Sequence, residues 1–425
     1  MNRDEKEKVG QKVYSIANNE EIGTAIFDDP TNVKSALENF ASEKWSKYSV
    51  QERSQILIKI SDDIEKDPSE LIFYLLNEAG KTIQNAIDEI REAIDFLRYY
   101  SRQIIEIHGK KSLQGPTGEI NKISYSPKGN YLCISPWNFP VAILIGQISA
   151  ALACGNNVVV KPSENTSILG YLIVKKFHEN GVPIETLQLI LGDGMYGDVL
   201  TKVNTVHGVA FTGSLPTAKK IQTNLIQHHK EIVPLIAETG GINAMIVDSS
   251  ALLEQVTDDV VRSAFDSAGQ RCSALRVLCI QEEIYDELIE MIKGNMEIQE
   301  IGDPNNFSTD IGPIINKHAL QKLNDYIKGC KDQGMEVHNC NNSLKETHMS
   351  PTIIEIDNIS TIQEEQFGPI LHVMKYKFDD MNSVINQINE SGYGLTMGIH
   401  TRIESRADFI GCLLYTSDAA DETVR

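Results

Sequence analysis

The chain has 425 residues, 41% of them hydrophobic, and a formal net charge of −20. That length buries a large core in two or three domains, and the acidic balance excludes nucleic acid and anionic membrane surfaces as partners, because no basic stripe exists to neutralise phosphates. Seven cysteines, an odd number without CxxC spacing, suggest neither a disulfide framework nor a metal ribbon; small-molecule chemistry in a reducing cytoplasm, with no metal, is the expectation.

The N-terminus, MNRDEKEKVGQKVYSI, is charged where a secretory signal needs an apolar core, and no apolar run approaches transmembrane length. From about Thr31 to His108 apolar residues recur at helical spacing, which predicts a helical N-terminal layer. A turn-rich stretch from Gly115 to Gly118 leads into INKISYSPKGNYLCISPW, whose alternation predicts the first strands of a sheet. The pattern then switches repeatedly: helix ILIGQISAALACG, buried strand NNVVVKPS, helix SILGYLIVKKFHENG, strand TLQLILG, then GVAFTGS, TAKKIQTNLIQHH and VPLIAETG. Short β-rich runs between helices mean βαβ units and a parallel sheet, hence an α/β fold. A second α/β unit runs from AGQRCSALRVLCIQ to the strand GLTMGIHT.

Four local patterns carry possible chemistry. Gly192 to Gly197 spells GxGxxG after an expected strand, the arrangement that seats a pyrophosphate on a helix N-terminus. The acidic residue wanted about twenty positions on has no counterpart in VAFTGSLPT, so a tight strand-to-helix turn is the favoured reading. Cys272 sits in FDSAGQRCSALRVL, where Gly269 admits a close substrate and Arg271 adds charge that favours a thiolate, although any one cysteine is by default an inert core thiol. Glu238 follows the apolar run VPLIA and precedes Gly240-Gly241, a place for a base of raised pKa or for an ordinary exposed acid. Asn138, between Trp137 and Phe139, offers an amide suited to an oxyanion hole, or a turn residue before Pro140.

Taken in order, SPWNFP, VVVKPSENT, FTGS, ETGG, GQRC and EQFGP resemble the aldehyde dehydrogenase superfamily from Ser135 to Pro369. More narrowly, EAGKTIQNAIDEIREAIDFLRYYS, PLIAETGGINAMIVDSSAL and SAFDSAGQRCSALRVLC look like the glutamate-semialdehyde (pyrroline-5-carboxylate) dehydrogenase module of the bifunctional proline utilisation A proteins, over about Gly23 to Arg402.

The resemblance implies a Rossmann-like parallel-sheet NAD-binding domain and a second α/β catalytic domain. It also implies NAD-dependent oxidation of L-glutamate γ-semialdehyde to glutamate, the second step of proline catabolism. The alternatives are a dehydrogenase for another semialdehyde such as succinate semialdehyde, or an inactive truncated fragment. In the implied reaction Cys272 forms a thiohemiacetal whose oxyanion is held by the Asn138 amide and the Cys272 N–H. Hydride transfer to NAD leaves a thioester, and water activated by Glu238 hydrolyses it. Ser135, Pro136 and Trp137 are implied at the cofactor, Gly213 and Ser214 at its pyrophosphate, Lys161, Ser163 and Glu164 at the adenosine ribose, and Glu365 with Phe367 at the nicotinamide ribose and ring. Ser273 and Arg271 are implied at the substrate carboxylate; a pair between Arg271 and Glu89 or Glu92 is an equal reading. The implied partners are a small aldehyde, further copies of the full-length chain in a homo-oligomer, and a proline dehydrogenase fused to this module or working with it.

The family's GSTxxG turn reads GSLPTA here. Beyond GIHT the family continues into an Asn-x-Pro-Phe-Gly-Gly type segment, a substrate-anchoring loop and an oligomerisation strand that this chain does not carry. Residues 412–425, CLLYTSDAADETVR, resemble translated sequencing-adapter DNA and are set apart as a non-native tail. The expected division is therefore 1–110, a helical layer of the NAD-binding domain; 111–127, a strand segment used in oligomerisation; 128–238, the Rossmann-like NAD-binding domain; and 239–411, a truncated catalytic domain.

Overall fold

An antiparallel hairpin, β1 (Gly10–Tyr14) with β2 (Glu21–Ile26), opens the regular structure. Asn19 turns the chain between them at φ 59, a left-handed conformation that asparagine tolerates better than most residues. The helical layer expected over residues 1–110 is thus preceded by a strand pair, whose short polar strands gave no periodic signal. The computed structural model describes residues 10–27, 29, 33, 44–108, 111–340 and 347–414. Most of the expected helical stretch before residue 44, and the tail from residue 415, lie outside them.

Helix α1 (Val50–Lys66) starts at a capping box: Ser49 Oγ accepts from Glu52 N, and the Glu52 carboxylate accepts from Ser49 N. Helices α2 (Ser69–Asn77) and α3 (Ile83–His108) follow. The α3 helix buries Ala86, Ile90, Ala93, Ile94, Leu97 and Ile104, one apolar stripe at three- and four-residue spacing. A second hairpin, β3 (Lys111–Leu113) with β4 (Asn121–Ile123), precedes β5 (Asn130–Ile134). Then come α4 (Ala142–Ala153), β6 (Asn157–Lys161), α5 (Ser167–Glu179), β7 (Leu187–Leu189), α6 (Gly194–Leu200), β8 (Gly208–Gly213), α7 (Leu215–His228) and β9 (Leu235–Thr239).

These strands form a five-stranded sheet in the order β7-β6-β5-β8-β9. All five residues of β6 are buried, as a strand covered on both faces requires. The chain leaves β5 for β6 and β7 on one side and returns to β8 on the other, so the strand order reverses between β5 and β8. Parallel α/β sheets hold their ligands at such a reversal, outside the carboxyl ends of the strands.

The remaining elements are β10 (Asn243–Val247), α8 (Leu253–Phe265), β11 (Leu275–Gln281), α9 (Glu282–Glu297), α10 (Lys317–Asp332), β12 (Val337–Asn339), β13 (Thr352–Glu355), β14 (Ile370–Tyr376), α11 (Met381–Glu390), β15 (Met397–His400) and α12 (Glu404–Leu413). The six strands are ordered β12-β13-β14-β11-β10-β15, parallel except for the edge pair β12 and β13. Ile410 and Leu414, on and just after α12, are buried in this sheet's core. Two compact units result: the first runs to Glu238, and the second comprises Ile16–Asn18, Gly80–Thr82 and the chain from Thr239.

Candidate active site

In the first unit, Ile134, Lys161 and Phe211 are in register at the carboxyl ends of three adjacent strands. The segments that continue from them therefore open on the strand-order reversal: Ser135–Asn138 after β5, Ser163 and Glu164 after β6, and Gly213-Ser214 at the end of β8. Gln147 ties two of these ends together, its Nε2 donating to Ile134 O at 3.3 Å and to Thr212 Oγ1 at 3.1 Å. Lys161 is buried, donates to Pro162 O at 3.0 Å and lies 3.9 Å from the exposed Glu164 carboxylate; burial depresses its pKa. Ser135 Oγ is buried without a hydrogen-bond partner. An orphaned hydroxyl beside an under-paired ammonium leaves polar capacity for the hydroxyls of a nucleotide.

Asn138 is buried, while Pro136 and Trp137 beside it are half-buried. The helix that begins shortly after Asn138 is fixed by the buried Glu89, which accepts from Val141 N at 2.7 Å and Ala142 N at 3.2 Å. Ser214 is the N-cap of α7, its Oγ paired with Thr217 Oγ1 at 2.9 Å, so the first backbone N–H groups of the helix have no side-chain cap. Glu238 is half-buried at the penultimate position of β9. The GxGxxG stretch is a strand-to-helix turn closed by its own carboxylate, Asp193 Oδ1 accepting from Met195 N at 2.8 Å. A Cβ on Gly192 would lie 2.2 Å from the Tyr196 ring.

In the second unit the loops gather at the amino ends of the parallel strands, before β10, β11, β14 and β15. Cys272, half-buried, lies three residues ahead of β11. The turn leading to it is left-handed at Ser267, Ala268 and Gly269, and a Cβ on Gly269 would stand 2.2 Å from Gly368 O. Gln270 anchors this turn, donating to Pro313 O at 3.1 Å and accepting from Ile315 N at 2.9 Å. Beyond the cysteine every carbonyl is taken. Asn243 Nδ2 donates to Cys272 O at 2.7 Å and Ala274 O at 2.9 Å, and Thr396 Oγ1 donates to Ser273 O at 3.3 Å. Arg271 pairs with Asp266 at 2.8 Å, a partner the sequence reading did not weigh.

Glu365 is 15% exposed and reaches Arg276 at 3.1 Å. Its carboxyl is raised above the usual range by burial, against the opposing pull of Arg276 and the Gly241 N–H. A Cβ on Gly240 would fall 1.7 Å from Glu365 Oε2, so a side chain there would push the Glu365 carboxylate off its present position. Asn243 and Arg276 escaped the sequence reading. Arg276 had left a signal, a lone cation inside the otherwise apolar run LRVLCI. Among the described residues no group of three or more His, Cys, Asp or Glu side chains could hold a metal ion, and no helix is long and apolar enough to cross a membrane.

The chain thus folds as two α/β units, one with an open strand-order reversal and one with a cysteine on a pinned turn. The chain belongs to the aldehyde dehydrogenase family, whose model matches residues 3–411. It is 43% identical over 389 residues to the bifunctional protein PutA of Escherichia coli, covering 88% of this chain and 29% of that one. It is also 33% identical over 377 residues to the 1-pyrroline-5-carboxylate dehydrogenase of Geobacillus kaustophilus, covering 87% of this chain and 72% of that one. A crystal structure of bifunctional proline utilization A superposes with TM-score 0.89 at 41% identity, covering 92% of this chain and 41% of the other. The aldehyde dehydrogenase of Brucella melitensis, at 24% identity and TM-score 0.90, shares the fold. The chain thus spans less than half the length of the PutA relatives it matches.

Proposed function

We propose that this chain is the glutamate-semialdehyde dehydrogenase module of a proline-catabolic enzyme, oxidising L-glutamate γ-semialdehyde to L-glutamate with NAD. The observation that carries the reading is the Cys272 turn. Cys133 and Cys279 are fully buried and their thiols are pushed up to about 12, as inert core thiols are. Cys272 instead is half-buried on a loop whose carbonyls are all fixed by side chains, which suits an attacking thiolate that must keep its direction.

In this reading Cys272 Sγ adds to the aldehyde carbon, and the Asn138 amide and Cys272 N–H take the oxyanion. NAD, when bound, supplies the hydride acceptor that turns the thiohemiacetal into a thioester. Glu238 then removes a proton from the water that releases glutamate and restores the thiolate. Ser135, Pro136, Trp137, Lys161, Ser163, Glu164, Gly213 and Ser214 would hold the cofactor along the first unit's strand ends, and Glu365 with Phe367 its nicotinamide end. The Glu164 carboxylate favours NAD over NADP, whose extra phosphate it would repel. Ser273 and Arg271 would bind the substrate carboxylate. The change of unit after Glu238 supports a boundary between a cofactor domain, 128–238, with 1–110 as its helical layer apart from Ile16–Asn18 and Gly80–Thr82, and a catalytic domain, 239–411; the strand segment 111–127 would serve oligomerisation. The family match covers residues 3–411, while α12 runs on to Leu413 and Leu414 packs in the core, so the expected break after Gly411 does not coincide with a break in the fold. Seven free cysteines suit a reducing cytoplasm, and the bifunctional relatives support a proline dehydrogenase fused to this module or working with it; further copies of the full-length chain in a homo-oligomer complete the proposal.

The test is NADH formation by the purified chain with glutamate semialdehyde and with succinate semialdehyde. A higher kcat/KM for the first supports the proposal, and the reverse order overturns the substrate. No NADH with either, while NAD still protects Cys272 from an alkylator, identifies an inactive cofactor-binding fragment.

A further inference from the structure

We propose that Arg276 is a positioning residue that fixes and polarises the peptide whose N–H faces the oxyanion at Cys272, and that ties this peptide to the loop bearing Glu365 and Phe367. The inference rests on the dehydrogenase reading above and adds a residue to it.

Arg276 is the second residue of β11, all seven of whose residues are buried, and is itself 1% exposed. A guanidinium taken that far from water costs several kcal/mol unless its donors are used. Its two Nη groups are used on the loops of the site, while the buried Nε has no hydrogen-bond partner. Nη2 donates to Arg271 O at 2.9 Å and to Glu365 Oε1 at 3.1 Å, and Nη1 donates to Gly368 O at 3.1 Å. The guanidinium carbon lies 5.5 Å from the centroid of the Phe367 ring. One side chain therefore grips the residue before the nucleophile and both ends of the Glu365–Gly368 stretch.

The grip on Arg271 O has a particular consequence. The peptide joining Arg271 to Cys272 is planar and trans, so its C=O and N–H point in opposite directions. Holding the oxygen with a cation fixes where the Cys272 N–H points. A charge-assisted bond at the oxygen also draws density from the amide and makes that N–H a stronger donor. The next peptide is held by Asn243 on Cys272 O, so both planes flanking the nucleophile are set by buried side chains that touch no substrate.

The charges facing the guanidinium are few. Glu365 opposes it, Arg271 is already paired with Asp266, and Tyr393 stands toward Glu365. The buried His372, whose Nδ1 lies 3.1 Å from Arg276 O, is driven down to about 4 and is neutral near pH 7. What remains is a cation close enough to Cys272 for a thiolate there to hold it charged, and by reciprocity for it to favour the thiolate.

The experiment follows iodoacetamide labelling of Cys272 against pH in the full chain, read by peptide mass spectrometry with exposed Cys154 as internal reference, beside the single-turnover rate of NADH formation. Arg276→Met should raise the labelling midpoint of Cys272 by about half a pH unit or more, leave Cys154 in place, and slow the first turnover at least tenfold. Arg276→Lys keeps the charge without the fork, so the midpoint should stay near wild type while the first turnover is still slowed. Glu365→Gln removes the opposing charge and should lower the midpoint. An unmoved Cys272 midpoint in Arg276→Met, or an equal movement of Cys154, overturns the proposal. Should Arg276→Met expose buried Cys133 and Cys279 to the label, and so prove misfolded, Glu365→Gln decides alone: a midpoint that does not fall refutes the role. A wild-type chain that makes no NADH but shows these midpoint shifts would sink the dehydrogenase reading and leave the clamp standing.

Discussion

Protonation of Glu78 should set a measurable part of this protein's pH-stability profile. Glu78 is 4% exposed and its carboxylate accepts from Ile168 N and Leu169 N, both at 2.9 Å, at the start of α5. Two effects compete there. Burial disfavours the charged form, whereas the N–H groups of a helix N-terminus favour it. Burial wins and pushes the carboxyl up from 4.5 to about 7. The folded state therefore holds the proton more tightly than the unfolded chain. Its stabilising contribution is complete below pH 4.5 and is lost as pH rises through about 7. At about 1.4 kcal/mol per pH unit the whole loss is roughly 3 kcal/mol, most of it between pH 5 and pH 8. Glu78→Gln stays neutral throughout and keeps one acceptor. Thermal unfolding of both proteins at pH 5 and pH 8 should show the variant gaining roughly 2 to 3 kcal/mol relative to wild type at the higher pH. An identical difference at the two pH values, or a variant that fares worse at pH 8, would refute the argument. Because α5 follows Ser163 and Glu164 directly, NAD affinity measured alongside reports whether the helix start and the ribose contacts move together.

Three further outcomes follow from the site. Cys272→Ala should abolish NADH formation, while Cys279→Ala, which removes a fully buried thiol, should cost about 1 kcal/mol in unfolding and leave turnover intact; a Cys272→Ala variant that keeps wild-type turnover would end the covalent mechanism. Glu238→Gln should release about one NADH per site and then stall, since acylation needs the thiolate and deacylation the base; a wild-type steady-state rate in stopped-flow would contradict that role. Gly269→Ala forces a side chain onto φ 65 and against Gly368 O, so unfolding temperature should drop and kcat should fall at least tenfold; unchanged values of both would show that the turn relaxes freely.

The alternation of strands and helices from Asn130 onward was legible because periodicity is local, and each run from NNVVVKPS to VPLIAETG coincides with an observed element. The first hairpin was not, since its two short strands, GQKVY and EIGTAI, bury only Ala25 and carry no sustained apolar alternation. The site was legible as motifs and illegible as geometry. GQRC and EQFGP could be singled out, but their common attachment to Arg276 depends on β11 lying beside β14, a pairing between residues nearly a hundred positions apart that no local pattern encodes. That Asp266 also pairs with Arg271 went unread for the opposite reason. Asp266 is close in sequence, and only the left-handed turn at Ser267 and Ala268 brings it back to the guanidinium.

The bond from Thr396 to Ser273 spans 123 positions and has a consequence for timing. The strand β15 that presents Thr396 is last in sequence yet pairs with β10, the strand that carries Asn243. At a synthesis rate of about 5 to 20 residues per second, Cys272 leaves the ribosome roughly 6 to 25 s before the residue that locks its turn. Throughout that interval the Cys272 turn lacks the Thr396 bond that holds Ser273 O. Completion of the sheet is thus also the step that fixes the last of the three carbonyls from Cys272 to Ala274.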